Sequence, residues 1–238
     1  AGRNTFASVQ DFGARAVAEA TRAEGIGLTH LSAIGADLDS DSDYARSKGL
    51  AEASITKVMP DAVILRPSIV FGPEDGFFNK FAEMARFSPF LPLIGGGETK
   101  FQPVYVGDVA EAVARSVDGT LIPGSIYELG GSRIMTFKDV FEEILEITRR
   151  KRVLLPLPWG LASLIGKIAT FIPFIDPPLT DDQVTLLKSD NVVSAEATKE
   201  KRTLAGIGIA PTSVEAILPT YLSRYRPHGQ YSGTGSEA

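Results

Sequence analysis

The sequence predicts an α/β fold built on a doubly wound parallel sheet, and three observations predict it. Segments of helical and strand-like patterning alternate from the N-terminal end, which is the order produced when crossover helices connect parallel strands. The run Ala62-Val-Ile-Leu-Arg66 is apolar without alternation, as a strand covered on both faces requires. The composition, 44% hydrophobic and 22% charged over 238 residues, is that of a globular chain long enough to bury a sizeable core.

Composition also removes several classes of function. With 24 Lys+Arg against 29 Asp+Glu the net charge is -5, the wrong sign for electrostatic wrapping of nucleic acid. No cysteine is present, so there is no disulfide framework, thiolate metal site or cysteine nucleophile. The two histidines, His30 and His228, are isolated from one another, so no metal site is expected. The start lacks the basic-then-apolar profile of a signal peptide.

In chain order, Val9, Phe12, Ala16, Val17 and Ala20 recur at helical spacing, giving a helix over 5–24 that stops at Gly25 and Gly27. Residues 28–32 read as a strand with His30 packed inside it, and 33–42, rich in Asp, Ser and Gly, as its exit loop. A helix over 42–58 and the buried strand at 62–66 follow. Beyond Pro67 the pattern predicts a helix over 76–88, a loop over 89–97 and a strand over 100–106. A helix to Val117 opens on a capping box of Asp108 and Glu111. A strand over 125–129 and a helix over 136–150, capped by Thr136 with Asp139, come next. Residues 153–175 are the most apolar stretch, but Pro156, Pro158, Pro173 and Lys167 interrupt it, and a membrane-spanning helix needs about 20 continuous apolar residues. From Trp159 to Ile172 it reads instead as an amphipathic helix with Leu161, Leu164, Ile165, Ile168, Phe171 and Ile172 on one face. Residues 227–238 are small and polar, a disordered tail.

One short segment can carry chemistry. In Tyr44-Ala-Arg-Ser-Lys48 the first and last residues lie four apart and share a helix face. An ammonium beside a phenol stabilises the phenolate, lowering the phenol's pKa so that it can exchange a proton with a substrate oxygen. The pair follows a strand ending at Ser32 and precedes one ending at Arg66-Pro67, so all three meet at the carboxyl edge of the sheet, where such folds bind ligands.

At this point the sequence resembles the extended and atypical short-chain dehydrogenase/reductases, through Leu31-Ser-Ala-Ile-Gly35, Tyr44-Ala-Arg-Ser-Lys48 and Pro103-Val-Tyr-Val-Gly-Asp-Val-Ala-Glu111. It is most similar to one atypical branch, the nucleotide-binding accessory subunits of respiratory complex I and their bacterial relatives. The segments that carry this are Leu65-Arg-Pro-Ser-Ile-Val-Phe-Gly-Pro-Glu-Asp75, Phe77-Phe-Asn-Lys-Phe81, Pro92-Leu-Ile-Gly-Gly-Gly97, Leu157-Pro-Trp-Gly160 and Asp182-Gln-Val-Thr-Leu-Leu-Lys-Ser-Asp-Asn191. The resemblance implies a Rossmann-type fold, truncated at its N-terminus, in which 1–67 is the C-terminal part of the dinucleotide-binding domain. Residues 68–226 then form a smaller mixed lobe that returns a strand and helix to the sheet. It implies NADP(H) or NAD(H) as ligand, with Ser32, Tyr44, Lys48, Pro67, Ser68 and Ile69 as binding residues and Tyr44 and Lys48 as the catalytic pair of the enzymes. It further implies complex I subunits as partners and a place on the cytoplasmic side of a bacterial inner membrane or the mitochondrial matrix side.

Two positions depart from the enzymes of that family. The hydroxyl expected two residues after Ser32 is Ile34, and the amide that contacts sugar nucleotides after Arg-Pro is Ile69; neither side chain can hydrogen-bond. A binding role for Tyr44 and Lys48, structural rather than catalytic, is therefore expected ahead of an oxidoreductase or isomerase acting on a small or quinone-related substrate. No Gly-rich strand-to-helix turn is present, since Gly95-Gly96-Gly97 precedes a strand, and weak or no dinucleotide affinity is expected of this chain alone. The basic run Arg149-Arg-Lys-Arg152 suits the carboxyl end of the preceding helix, with the amphipathic helix packed on the core, and equally an anionic membrane surface on which that helix lies.

Overall fold

The computed structural model describes residues 7–170 and 180–229. A π-helical turn (Ala7–Phe12) runs into α1 (Gly13–Ala23), followed by β1 (Thr29–Leu31), α2 (Asp43–Val58) and β2 (Val63–Pro67). Then come β3 (Val70–Phe71), α3 (Phe78–Phe87), β4 (Phe90–Ile94), β5 (Lys100–Phe101), β6 (Val104–Tyr105), α4 (Val106–Val117), β7 (Ile126–Leu129), β8 (Met135–Thr136) and α5 (Phe137–Thr148). The C-terminal part holds β9 (Val153–Leu157), α6 (Trp159–Thr170), α7 (Asp181–Leu186), α8 (Ala195–Lys199) and α9 (Val214–Leu222).

The central sheet is parallel, in the order β1-β2-β7, with Thr29 opposite Val63 and Ile64 opposite Ile126. β2 takes the middle place by composition, since Val63, Ile64 and Leu65 are all buried. One face is covered by α1 and α2 through Ala18, Ile55 and Ala62; the other is covered through Val109 and Ala112 of α4, with Leu204 and Ile209. The layers are those of a doubly wound α/β fold, and β7 pairs in parallel with β2.

A second core lies beside the sheet among the described residues. Phe71, Phe78, Phe81, Phe137 and Phe141 are buried with Leu218 and Leu222 of α9. The rings of Phe81 and Phe141 meet edge-on, with centroids 4.9 Å apart.

Several expectations are corrected. Residues 89–97 are not a loop: Phe90–Ile94 forms β4, paired in parallel with β9, and only Gly95–Gly97 turns. The apolar run after Arg152 supplies that partner strand, and a two-stranded ribbon leaves each strand a free edge on which a proline's missing N–H costs no ladder bond. The strand expected over 100–106 is broken at Gln102-Pro103 into β5 and β6, which pair with β8 and β3 respectively. Asp108 does not cap α4. It lies buried in the first turn and accepts hydrogen bonds from the Thr212 N–H and Oγ1, both at 2.7 Å. The Thr136–Asp139 capping box of α5 is present as expected. Phe171 and Ile172 of the expected amphipathic face, and the tail over 230–238, lie outside the described residues.

Candidate functional site

The carboxyl ends of β1 and β2 and the first turn of α2 open on a cleft of about 1040 Å³. Its walls include Ser32, Ile34, Tyr44, Pro67, Ser68 and Ile69 on the sheet side, and Phe77, Gln183, Thr185 and Asn191 on the lobe side. Sequence reasoning thus chose residues that tertiary structure gathers at one edge. Lys48 is the exception: it borders a separate, smaller pocket with His30, Val17 and Ile55.

The loop from β1 lies flat on α2, and Gly49 makes this close approach workable: a Cβ there would stand 2.7 Å from the backbone of Asp37 and Leu38. Ser42 caps α2, accepting from the Ala45 N–H at 3.2 Å. A second anchor comes from far along the chain. The Asp182 carboxylate accepts from Ser42 Oγ at 3.1 Å, the Asp43 N–H at 2.7 Å and the Tyr44 N–H at 3.3 Å. An anion thus sits on the amino end of the helix that carries Tyr44, where the helix dipole favours it.

Tyr44 and Lys48 do share a face, the ammonium lying over the Tyr44 ring at 5.8 Å from its centroid. The expected electrostatics do not follow. Burial pushes the Tyr44 phenol above its ordinary pKa, and burial pulls the Lys48 ammonium below its own, with Glu52 opposing. The cation sits over the ring and donates to the Leu31 carbonyl at 3.4 Å, so desolvation outweighs its help to a phenolate.

Ser68 and Ser32 differ in what they have left to offer. Ser68 Oγ is engaged by Asn191, at 2.6 Å from its Oδ1 and 2.9 Å from its carbonyl, while Asn191 Nδ2 donates to the Ile34 carbonyl at 3.0 Å. Asn191 therefore ties the two sheet-edge loops together. Ser32 Oγ is buried and has no hydrogen-bond partner among the described residues, a donor at the cleft wall. Sequence reasoning missed Asp182, Asn191 and the buried Glu52. Glu52 grips Arg66 through two bonds, at 2.9 and 2.5 Å, and stands four residues after Lys48 on α2, a spacing that was legible.

For a nicotinamide dinucleotide, the unsatisfied Ser32 hydroxyl, the Tyr44 phenol and the Pro67–Ile69 wall fit a ribose and its base. Gly95–Gly97 is a turn leading to a strand, so it does not serve as a pyrophosphate cradle. Among the described residues no group of acidic or histidine side chains could hold a metal ion, and no helix is long and apolar enough to cross a membrane.

The fold is a Rossmann-type architecture similar to that of solved sugar-nucleotide epimerases. The UDP-glucose 4-epimerase of Thermotoga maritima, solved with UDP-glucose, superposes with a TM-score of 0.64 at 18% identity over 91% of this chain and 69% of its own. The Thermus thermophilus UDP-glucose 4-epimerase, solved with NAD, gives 0.54 at 22% identity over 76% and 69%.

By sequence the chain is similar to subunits of the mitochondrial NADH:ubiquinone oxidoreductase and, over a shorter span, to a bacterial reductase. It is 32% identical to the NADH dehydrogenase (ubiquinone) 1 alpha subcomplex subunit 9 of Arabidopsis thaliana, over 86% of this chain and 52% of that protein. The subunit of the same name from Rattus norvegicus is 32% identical over 90% of this chain and 56% of its own length. A ceramide reductase of Caulobacter vibrioides is 35% identical over 44% of this chain and 33% of its own. The chain spans about half the length of the subunits it matches, and no family model matches it.

Proposed function

We propose that this chain forms the substrate-side wall of an NAD(P)H-binding accessory protein of a respiratory NADH:quinone oxidoreductase, with the nucleotide held for stability and not turned over. Ser32 and Tyr44 would hold the nicotinamide ribose, with Lys48 placed over the Tyr44 ring from outside the cleft, and Pro67, Ser68 and Ile69 would flank the base. The bound group would supply only binding free energy, which stabilises a folded state by mass action. The observation that carries the reading is geometric: the buried Ser32 hydroxyl, without a partner among the described residues, lies at the same cleft wall as Tyr44, whose phenol burial pushes above its ordinary pKa, so both are placed as hydrogen-bond donors. Ile34 and Ile69, apolar where sugar-nucleotide enzymes present polar groups, support it. The partners would be other subunits of that complex, at an anionic membrane surface, on the cytoplasmic side of a bacterial inner membrane or the matrix side of a mitochondrial one.

A second reading, an NAD(P)-dependent reductase or isomerase with Tyr44 as general acid and Lys48 beside it, draws on the likeness to the ceramide reductase. Tyr44→Phe separates the two. An accessory role predicts that thermal stabilisation by NADPH or NADH persists with affinity weakened about tenfold, the worth of one hydrogen bond. An enzyme predicts loss of NAD(P)H oxidation by about a hundredfold or more, and turnover of that kind in the parent chain would overturn the accessory reading.

A further inference from the structure

The helix α6 is turned inside out. Its aliphatic stripe, Leu161, Leu164 and Ile165, is 48%, 54% and 46% exposed, while the face against the protein is made of Ala162, Ser163 and Gly166. Close packing requires the small residues there: a Cβ on Gly166 would stand 2.8 Å from the Asp181 N atom, and Ser163 Oγ donates to Asp181. An amphipathic helix that turns its polar and small face to its own fold leaves its apolar face for something else. The preceding ribbon does the same. Phe90 and Val153, partners in the β4–β9 register, are 51% and 56% exposed, and Leu155 is 50% exposed.

Charge selects the occupant. From Arg149 to Lys167 the chain has five basic residues and no acidic one, within a protein of net charge -5. Two of the cations are held in place: Arg150 Nε donates to the Tyr225 carbonyl and Arg152 Nε to the Ala85 carbonyl, each at 2.8 Å. Burial, then the neighbouring cations Arg152 and Arg86, hold the Arg150 guanidinium below its ordinary pKa, with Glu83 opposing. The acidic groups facing this region, Glu83 and Asp181, pair with Arg86 at 3.2 Å and Lys167 at 3.9 Å. A second copy of the chain would set these cations against their own kind, whereas an anionic surface with an apolar interior suits both halves of the patch.

We propose that the outward face of α6, with Val153 and Leu155 of β9, inserts into the interfacial layer of an anionic lipid bilayer, and that Lys151, Arg152 and Lys167 bind its head groups. This rests on the reading of the protein as peripheral to a membrane complex, and names the surface that meets the membrane. Trp159, at the first turn of α6, is the only tryptophan and a built-in reporter.

The test is co-flotation of the chain with phosphatidylcholine vesicles containing about 30% cardiolipin or none, with Trp159 quenching by brominated acyl chains. Expected are binding at least about tenfold stronger to the anionic vesicles and quenching by the bromolipid. Leu161→Asp/Leu164→Asp/Ile165→Asp should reduce binding by at least about tenfold, and Lys151→Gln/Lys167→Gln should weaken it and flatten its salt dependence. Absence of vesicle binding by the parent chain overturns the proposal. So does binding that survives the triple substitution without quenching, or self-association in sedimentation that the triple substitution abolishes. Thermal stabilisation by NADPH, measured on the same samples, reports on the nucleotide reading separately: either can fail while the other stands.

Discussion

The position of Tyr44 depends on a carboxylate 138 residues away in sequence, and removing that carboxylate tests how the cleft is held together. Asp182 accepts three hydrogen bonds at the amino end of α2, from Ser42 Oγ at 3.1 Å and the N–H groups of Asp43 at 2.7 Å and Tyr44 at 3.3 Å. A hydrogen bond to a charged acceptor contributes about 1.5–3 kcal/mol, and only the shortest of these has the geometry for it. Asp182 is half-buried, so water replaces part of what is lost. Asp182→Ala should therefore cost about 2 kcal/mol, or about 4–8 °C in Tm for a chain of this size. Asp182→Asn keeps an acceptor without the charge and should cost about half as much. Ser42→Ala alone should cost about 1 kcal/mol as a lost helix cap. Because Ser42 donates to Asp182, the double variant should fall short of the sum by about 0.5–1 kcal/mol. Urea denaturation followed by circular dichroism measures all of these proteins. An Asp182→Ala variant within about 0.3 kcal/mol of the parent, or strict additivity with Ser42→Ala, would refute the anchoring argument.

Other expectations concern single sites. Ser32→Ala removes a buried hydroxyl that has no partner among the described residues, so the ligand-free chain should gain up to about 1 kcal/mol of stability while NADPH binds about tenfold more weakly; a loss of stability would mean that the hydroxyl is already satisfied. His30 lies below its ordinary value of 6.5, chiefly through burial and then through Lys48, with Glu52 opposing. The unfolded chain thus takes up the proton more readily, so this contribution is complete above about pH 6.5 and is lost as pH falls through the folded value. Urea midpoints taken above and below that pH should fall on acidification in the parent and change less in His30→Phe; equal slopes would exclude His30 as the cause. Gly131→Ala would set a Cβ 1.8 Å from the Pro103 carbonyl oxygen, where β7 ends beside the lobe. A cost of about 3 kcal/mol is expected in thermal unfolding, and a silent substitution would mean that the two backbones part easily.

The sequence by itself determined whatever depends on neighbours along the chain. The uninterrupted apolar run at 62–66 demanded a strand buried on both faces, Thr136 with Asp139 marked a helix start, and the four-residue spacing put Tyr44 and Lys48 on one stripe. Only tertiary structure decided what depends on partners brought from afar. β4 looked like a loop because Phe90–Ile94 is short, carries Pro92 and finds its pairing in β9, about 60 residues on. Asp108 looked like a cap because nothing local reveals that Thr212 claims its carboxylate. The Tyr44 pKa ran opposite to expectation because burial, a property of the whole fold, outweighed the cation over its ring. The amphipathic pattern of α6 was legible, yet a pattern states only that two faces differ. Which face meets the protein was settled by Asp181 and the small residues that let α7 approach.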